Sequence, residues 1–179
     1  MGRRLRGGAN GPAAHGLSYR DNACVQVREA DPDDWEDVME LLAELGRPDV
    51  RDDADEPRHR ARFEEYLARD DALALVAEDD GVVVGFVDVE FRQRLNFLQP
   101  EAWVPDLVVA EAARGTGAGR ALLEEVERRA VERNSWGIAL ESANWRESSH
   151  AFYEHVGWKD VAKAFSRVLG DVQWPPARR

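Results

Sequence analysis

Leu107-Val108-Val109-Ala110-Glu111-Ala112-Ala113-Arg114-Gly115-Thr116-Gly117-Ala118-Gly119-Arg120 is the stretch that decides the fold. It reads as a strand, then a glycine-rich turn, then the start of a helix. The helix runs on to Asn134 with Leu122, Leu123, Val126 and Ala130 in one apolar stripe. Glu124 with Arg128, and Glu125 with Arg129, form i,i+4 pairs on its wet side. Glycines let the backbone come close to a ligand, and the first helical turn leaves N–H groups unpaired at the positive end of the dipole. A pyrophosphate fits such a place, with Arg114 and Arg120 adding charge at its edges.

Three phosphate-loop patterns compete for this turn. The dinucleotide fingerprint G-x-G-x-x-G fails, because counting from Gly115 and Gly117 its third glycine falls on Arg120. The P-loop fails because no Gly-Lys-Ser/Thr closes the turn. The pattern R-x-x-G-x-G is filled by Arg114, Gly117 and Gly119.

Upstream, Val25 and Val27 alternate with polar neighbours as in a strand. Asp31 and Pro32 suit a helix start, and Trp35, Val38, Met39, Leu42 and Leu45 follow at helical spacing, closed by Gly46 and Pro48. A polar, mostly acidic loop precedes a second helix marked by Phe63, Tyr66 and Leu67. Residues 73–77 and 82–91 read as strands joined by Asp80-Gly81, a favoured hairpin pair. Residues 103–109 form the next strand, but Pro105 removes a ladder donor and implies an edge, a bulge or a splayed strand. Downstream come a strand at 136–140, a helix at 147–156 ended by Gly157, and a last strand at 164–169. The order β-α-α-β-β-β-α-β-α-β, without internal repeats, is that of one α/β (α+β) domain.

Composition sets the outer limits. A chain of 179 residues can bury one core, and no apolar run is long enough to span a bilayer. Residues 1–22 form a basic leader that reads as disordered, 23–170 the folded domain, and 171–179 a flexible tail. The single cysteine, Cys24, permits no intramolecular disulfide, and no signal peptide is legible, so the cytoplasm is the expected location. The formal charge of −11 disfavours nucleic acid and favours cationic ligands. His150 and His155, five apart, do not share a helical face, and no metal-ligand spacing appears.

The segment 107–120 resembles the acetyl-CoA-binding motif of the GNAT superfamily, R/Q-x-x-G-x-G/A. Asn144, Ser148, Ser149, Ala151, Phe152, Tyr153, Gly157 and Trp158 resemble that family's N-x-x-(S/A)-x-x-F-Y-x-x-x-G-F/W segment. The resemblance covers residues 25–169 and implies a GNAT fold, a mixed central sheet with a splayed strand and flanking helices. It implies an N-acetyltransferase that moves acetyl directly from acetyl-CoA to a primary amine in a ternary complex. Leu107, Val108 and Val109 then pair with the pantetheine arm, with the Val109 N–H toward the thioester carbonyl. Arg114, Gly115, Thr116, Gly117, Ala118, Gly119 and Arg120 hold the pyrophosphate, and Asn144, Ser149 and Tyr153 complete the cofactor site.

Tyr153 matches the tyrosine that protonates the departing thiolate. Asp106 is the candidate base or amine-binding group, although Pro105 stands where some relatives carry a further acid; Glu90 and Glu141 are other strand carboxylates. Asp52, Asp53, Asp55 and Glu56 lie where the acceptor side is expected, which favours a small cationic amine. The family also implies a homodimer. The alternative is a non-catalytic acyl-CoA-binding regulatory module, which would keep the glycine loop without needing Tyr153.

Overall fold

A computed structural model describes residues 25–169. The leader, the tail and Cys24 lie outside the described residues. Six strands form one sheet: β1 (Gln26–Glu29), β2 (Ala72–Asp79), β3 (Val82–Arg92), β4 (Glu101–Val104), β5 (Leu107–Val109) and β6 (Gly137–Leu140). Their order is β1-β2-β3-β4-β6, with β5 also paired to β3; β4 and β6 run parallel and the other pairs antiparallel. The helices are α1 (Trp35–Leu45), α2 (Glu56–Leu67), α3 (Ala118–Glu132) and α4 (Glu147–His155). Among the described residues no helix is long and apolar enough to cross a membrane.

Helices cover both faces of the sheet, so β2 is buried and apolar from Ala72 to Ala77 rather than alternating. On β2, Leu73, Leu75 and Ala77 face α3, and Ala74 and Val76 face α1 and α2, the period of two that a strand imposes. Leu122, Val126 and Ala130 of α3 meet Val87, Val89, Ala102 and Val104 in the first core. Trp35, Val38 and Leu41 of α1 meet Phe63, Phe86 and Val108 in the second. Gly85 permits this depth of packing: a Cβ there would stand 3.1 Å from Leu122 Cδ1 and 3.3 Å from the Val108 carbonyl.

The local signals explain most boundaries. A single 3-10 turn at Pro32–Asp34 precedes α1, and the Asp31 carboxylate accepts from the Asp33 N–H at 2.8 Å. Gly46 closes α1 in the left-handed region with φ 94°. Asp80 and Gly81, both at positive φ, make the β2–β3 hairpin.

Two expectations change. The strand placed at 103–109 is two short strands, because the pairing with β3 slips by one residue at Pro105-Asp106. Val87 faces Leu107, yet Glu90 faces Trp103. That slip is a β-bulge, one of the outcomes Pro105 implied. The last strand, at 164–169, does not form: these residues have no regular structure, and Val161, Phe165 and Leu169 are exposed. Apolar spacing alone makes no strand where no sheet edge takes up its hydrogen bonds.

Leu122 is fully buried where α3 meets the sheet. Leu122→Ala should lower unfolding free energy by about 2–5 kcal/mol, read as a lower urea midpoint at unchanged slope.

Candidate active site

The turn before α3 is shaped by two glycines at positive φ, Gly115 (84°) and Gly117 (98°). Thr116 Oγ1 donates to the Ala113 carbonyl at 2.8 Å and fixes the turn from within. No side chain caps α3 and no acid sits in its first turn. Its first internal bond runs from Ala121 N–H to the Gly117 carbonyl at 2.9 Å, so Ala118, Gly119 and Arg120 present amides without helical acceptors. A Cβ on Gly119 would come within 3.4 Å of both Phe152 and Val109, so the helix start is wedged between β5 and α4. Arg120 is exposed and pairs with Glu124 at 3.1 Å.

Beyond the bulge the sheet opens. β4 pairs with β6 as far as Val104 opposite Leu140, and β5 pairs only with β3. Ala110 N–H donates to the Val84 carbonyl at 2.9 Å, and Asp88 N–H to the Asp106 carbonyl at 3.2 Å. Backbone groups alternate sides along a strand, so those of Leu107 and Val109 face the opening while Val108 faces β3. Arg114 Nε reaches the Val109 carbonyl at 3.4 Å.

Tyr153, on α4, is half-buried with its ring 5.5 Å from Phe152 and 6.0 Å from Trp158. Burial pushes its hydroxyl above the usual phenol range, against the opposing pull of the Arg146 cation. Ser149 N–H donates to the Arg146 carbonyl at 3.0 Å as α4 begins, and Asn144 is exposed two residues before Arg146. Arg146 itself is a residue that motif reading missed. Its guanidinium donates to the Leu45 carbonyl at the end of α1. Burial, then the neighbouring cations Arg47 and Arg114, push its pKa down, while Tyr153 and Asp106 act the other way. Arg146 thus draws Asp106, Tyr153 and Arg114 into one electrostatic cluster.

The carboxylates separate by environment. Asp106 accepts from Arg47 Nε at 2.8 Å and Nη2 at 2.5 Å. Glu90 is engaged by Arg69 and Arg92, and Glu141 is exposed past the end of β6. The second residue that sequence reading missed is Asp88, on β3 opposite the bulge. Its Oδ1 accepts the Asp106 N–H at 2.9 Å. Burial, then the Asp106 charge, push its pKa up to about 7. Asp88 and Asp106 lie in the wall of a cavity of about 220 Å³ roofed by α1 and α2. Position alone gave no signal: Asp88 shares β3 with a second acid, Glu90, two residues on. The acidic loop is elsewhere, with Asp52, Asp53 and Asp55 exposed and outside the cavity wall.

An uncapped helix start beside the opening between β5 and β6, with the half-buried Tyr153 on the adjoining helix α4, suits an acyl-carrier-dependent transferase. Comparison with known proteins agrees. The sequence model of the Acetyltransferase (GNAT) family matches residues 35–158. An uncharacterized N-acetyltransferase from Archaeoglobus fulgidus is 32% identical over 113 residues, covering 62% of this chain and 76% of that protein. A transcriptional regulator from Bacillus halodurans C-125 superposes with a TM-score of 0.73 at 27% identity, covering 82% of this chain and all (100%) of that one. AAC(6')-Iy, solved with a bisubstrate analog of CoA and monomethyl-acetylneamine, shares the fold at a TM-score of 0.68 and 21% identity, over 82% of this chain and 98% of that one. The chain belongs to the GNAT acetyltransferase family, and it is an acetyl-CoA-dependent N-acetyltransferase.

The raised pKa of Asp88 has a consequence for stability. An acid whose folded pKa (about 7 here) exceeds its unfolded value, about 3.9, binds its proton more tightly when folded. That stabilisation is complete below the unfolded pKa and is lost as pH rises through the folded one. Asp88→Asn should therefore be more stable than wild type at pH 8, with the gap closing toward pH 4 in thermal melts. A gap that does not vary with pH would contradict the assignment.

Proposed function

We propose that the chain moves an acetyl group directly from acetyl-CoA to a small primary amine, both bound together at the opening between β5 and β6. The observation that carries this reading is the uncapped start of α3 abutting that opening. The amides of Ala118, Gly119 and Arg120, with Arg114 beside them, suit a pyrophosphate. Gly115, Thr116 and Gly117 shape the turn that lets it approach, and the outward backbone of Leu107 and Val109 suits an extended amide-bearing arm. Val108 holds β5 to β3, and Asn144 and Ser149 border the site from the start of α4. Acetyl-CoA supplies an activated thioester. The Val109 N–H is the donor for its carbonyl oxygen as negative charge develops there. Tyr153 keeps its proton at neutral pH, since burial disfavours the phenolate, and is the acid for the leaving sulfur.

Asp106 is engaged by Arg47, so its part is to orient: it presents its N–H to Asp88 and anchors the arginine at the acceptor side. The absence of an intramolecular disulfide suits the cytoplasm. A homodimer would cover the outer edge of β6, beside which Phe97 and Trp136 stack at 4.8 Å with both rings partly exposed.

Steady-state kinetics test the reading. Direct transfer gives intersecting double-reciprocal lines; parallel lines would mean an acetylated enzyme and refute it. Tyr153→Phe should lower kcat by about 10²–10⁴ with acetyl-CoA affinity unchanged in calorimetry, and an unaltered rate would remove Tyr153 from the mechanism. Gly117→Leu should abolish acetyl-CoA binding in a protein that still melts cooperatively. Acetyl-CoA binding without transfer to any amine would favour the regulatory module.

A further inference from the structure

The cavity beneath α1 and α2 has a composition that restricts what enters it. Trp35, Val38, Met39, Leu42, Phe63 and Phe86 give its wall a large apolar part. Trp35, Val38, Phe63 and Phe86 are each less than a tenth exposed, so this apolar surface is fixed by the second core rather than by mobile side chains. The polar groups at its base are few. Asp106 is matched by Arg47, and the Tyr66 hydroxyl donates to the Val89 carbonyl at 3.1 Å. Asp88 accepts the Asp106 N–H and has the Tyr66 hydroxyl beside it, but its charged neighbours, Asp106 and Glu90, are both acids. Trp35 Nε1 is also buried without a hydrogen-bond partner among the described residues. His59 and Arg62, both exposed, stand at the rim.

Resting on the acetyltransferase reading above, we propose that this cavity selects an apolar primary monoamine, an arylalkylamine or branched alkylamine, whose single ammonium binds Asp88. A polyamine or an aminoglycoside would have to bury further ammonium or hydroxyl groups against Val38, Leu42 and Phe63, where nothing hydrogen-bonds them. The volume, about 220 Å³, lies below the ~300–1,000 Å³ of drug-sized sites and suits a small body.

Asp88 also receives the proton that the ammonium must lose before its nitrogen can attack. The nitrogen–carbon bond forms as the carbon–sulfur bond breaks. Tyr153 gives its proton to the sulfur, and the second proton released from nitrogen restores it, so one proton per turnover reaches solvent through Asp88. A pKa near 7 fits a group that works as a base at neutral pH. Burial, Asp106 (held by Arg47) and Glu90 (held by Arg69) set it, while Tyr66, His59 and Arg62 of α2 face the same cavity.

The test uses the full chain and three readouts: calorimetry with acetyl-CoA, thermal shift with each amine, and thiol release with both substrates. Phenethylamine and isoamylamine should be acetylated with kcat/KM at least tenfold above spermidine, kanamycin or an N-terminal peptide. Phenethylamine should raise the melting temperature of wild type but not of Asp88→Asn. In wild type kcat/KM should rise with pH through about 7, and Asp88→Asn should lose at least 100-fold of it together with that rise, while acetyl-CoA affinity stays unchanged. Preferred turnover of spermidine, kanamycin or the peptide would overturn the inference and leave the acetyltransferase reading intact. Equal thermal shifts in wild type and Asp88→Asn would overturn the role of Asp88. Phenethylamine binding through Asp88 without any transfer would support the inference and overturn the catalytic proposal.

Discussion

One extra residue in one strand organises the active side of this protein. At Pro105-Asp106 the partner of β3 gains a residue, and the strand beyond no longer follows β6. Proline has no N–H to lose, so it takes the place in the ladder where a missing donor costs least. The slip does two things at once. It frees the outer backbone of Leu107 and Val109, and it directs the Asp106 N–H at the Asp88 carboxylate. Cofactor side and acceptor side thus share a single irregularity.

The two cores explain why such an opening does not weaken the domain. α3 packs on one face over Leu75, Val87 and Val89, and α1 and α2 pack on the other over Ala74, Val76 and Phe86. Both seals lie over the regular part of β2 and β3. The opening sits to one side, flanked by α4, which has no fully buried residue. Rigidity is concentrated where the sheet is continuous, and the ligand-facing elements hang from it.

Much of this was legible in the sequence because the relevant physics is local. Glycines at 115 and 117 adopt the positive φ that makes the turn, and Asp80-Gly81 makes the hairpin it suggests. Pro105 announced an irregular strand by lacking a donor. What stayed hidden depends on contacts distant in sequence. Asp88 looks like an ordinary strand acid until the bulge, 18 residues on, brings the Asp106 amide to it. Arg146 lies inside a matched segment without being part of its pattern, and its bond to Leu45 spans 101 residues. The segment at 164–169 failed in the opposite sense, carrying strand-forming residues that pair with no edge of the sheet.

The Arg146 guanidinium rests on the last carbonyl of α1, the helix that roofs the acceptor cavity, while its backbone begins the turn into α4, which carries Tyr153. One cation therefore ties the helix over that cavity to the helix that carries Tyr153. Whatever ordering of Arg146 the first ligand brings about is already in place for the second, and thermodynamic linkage makes that help mutual. A ligand that orders Arg146 on one side would therefore favour binding on the other, and a preferred order of arrival would need no larger movement of the fold.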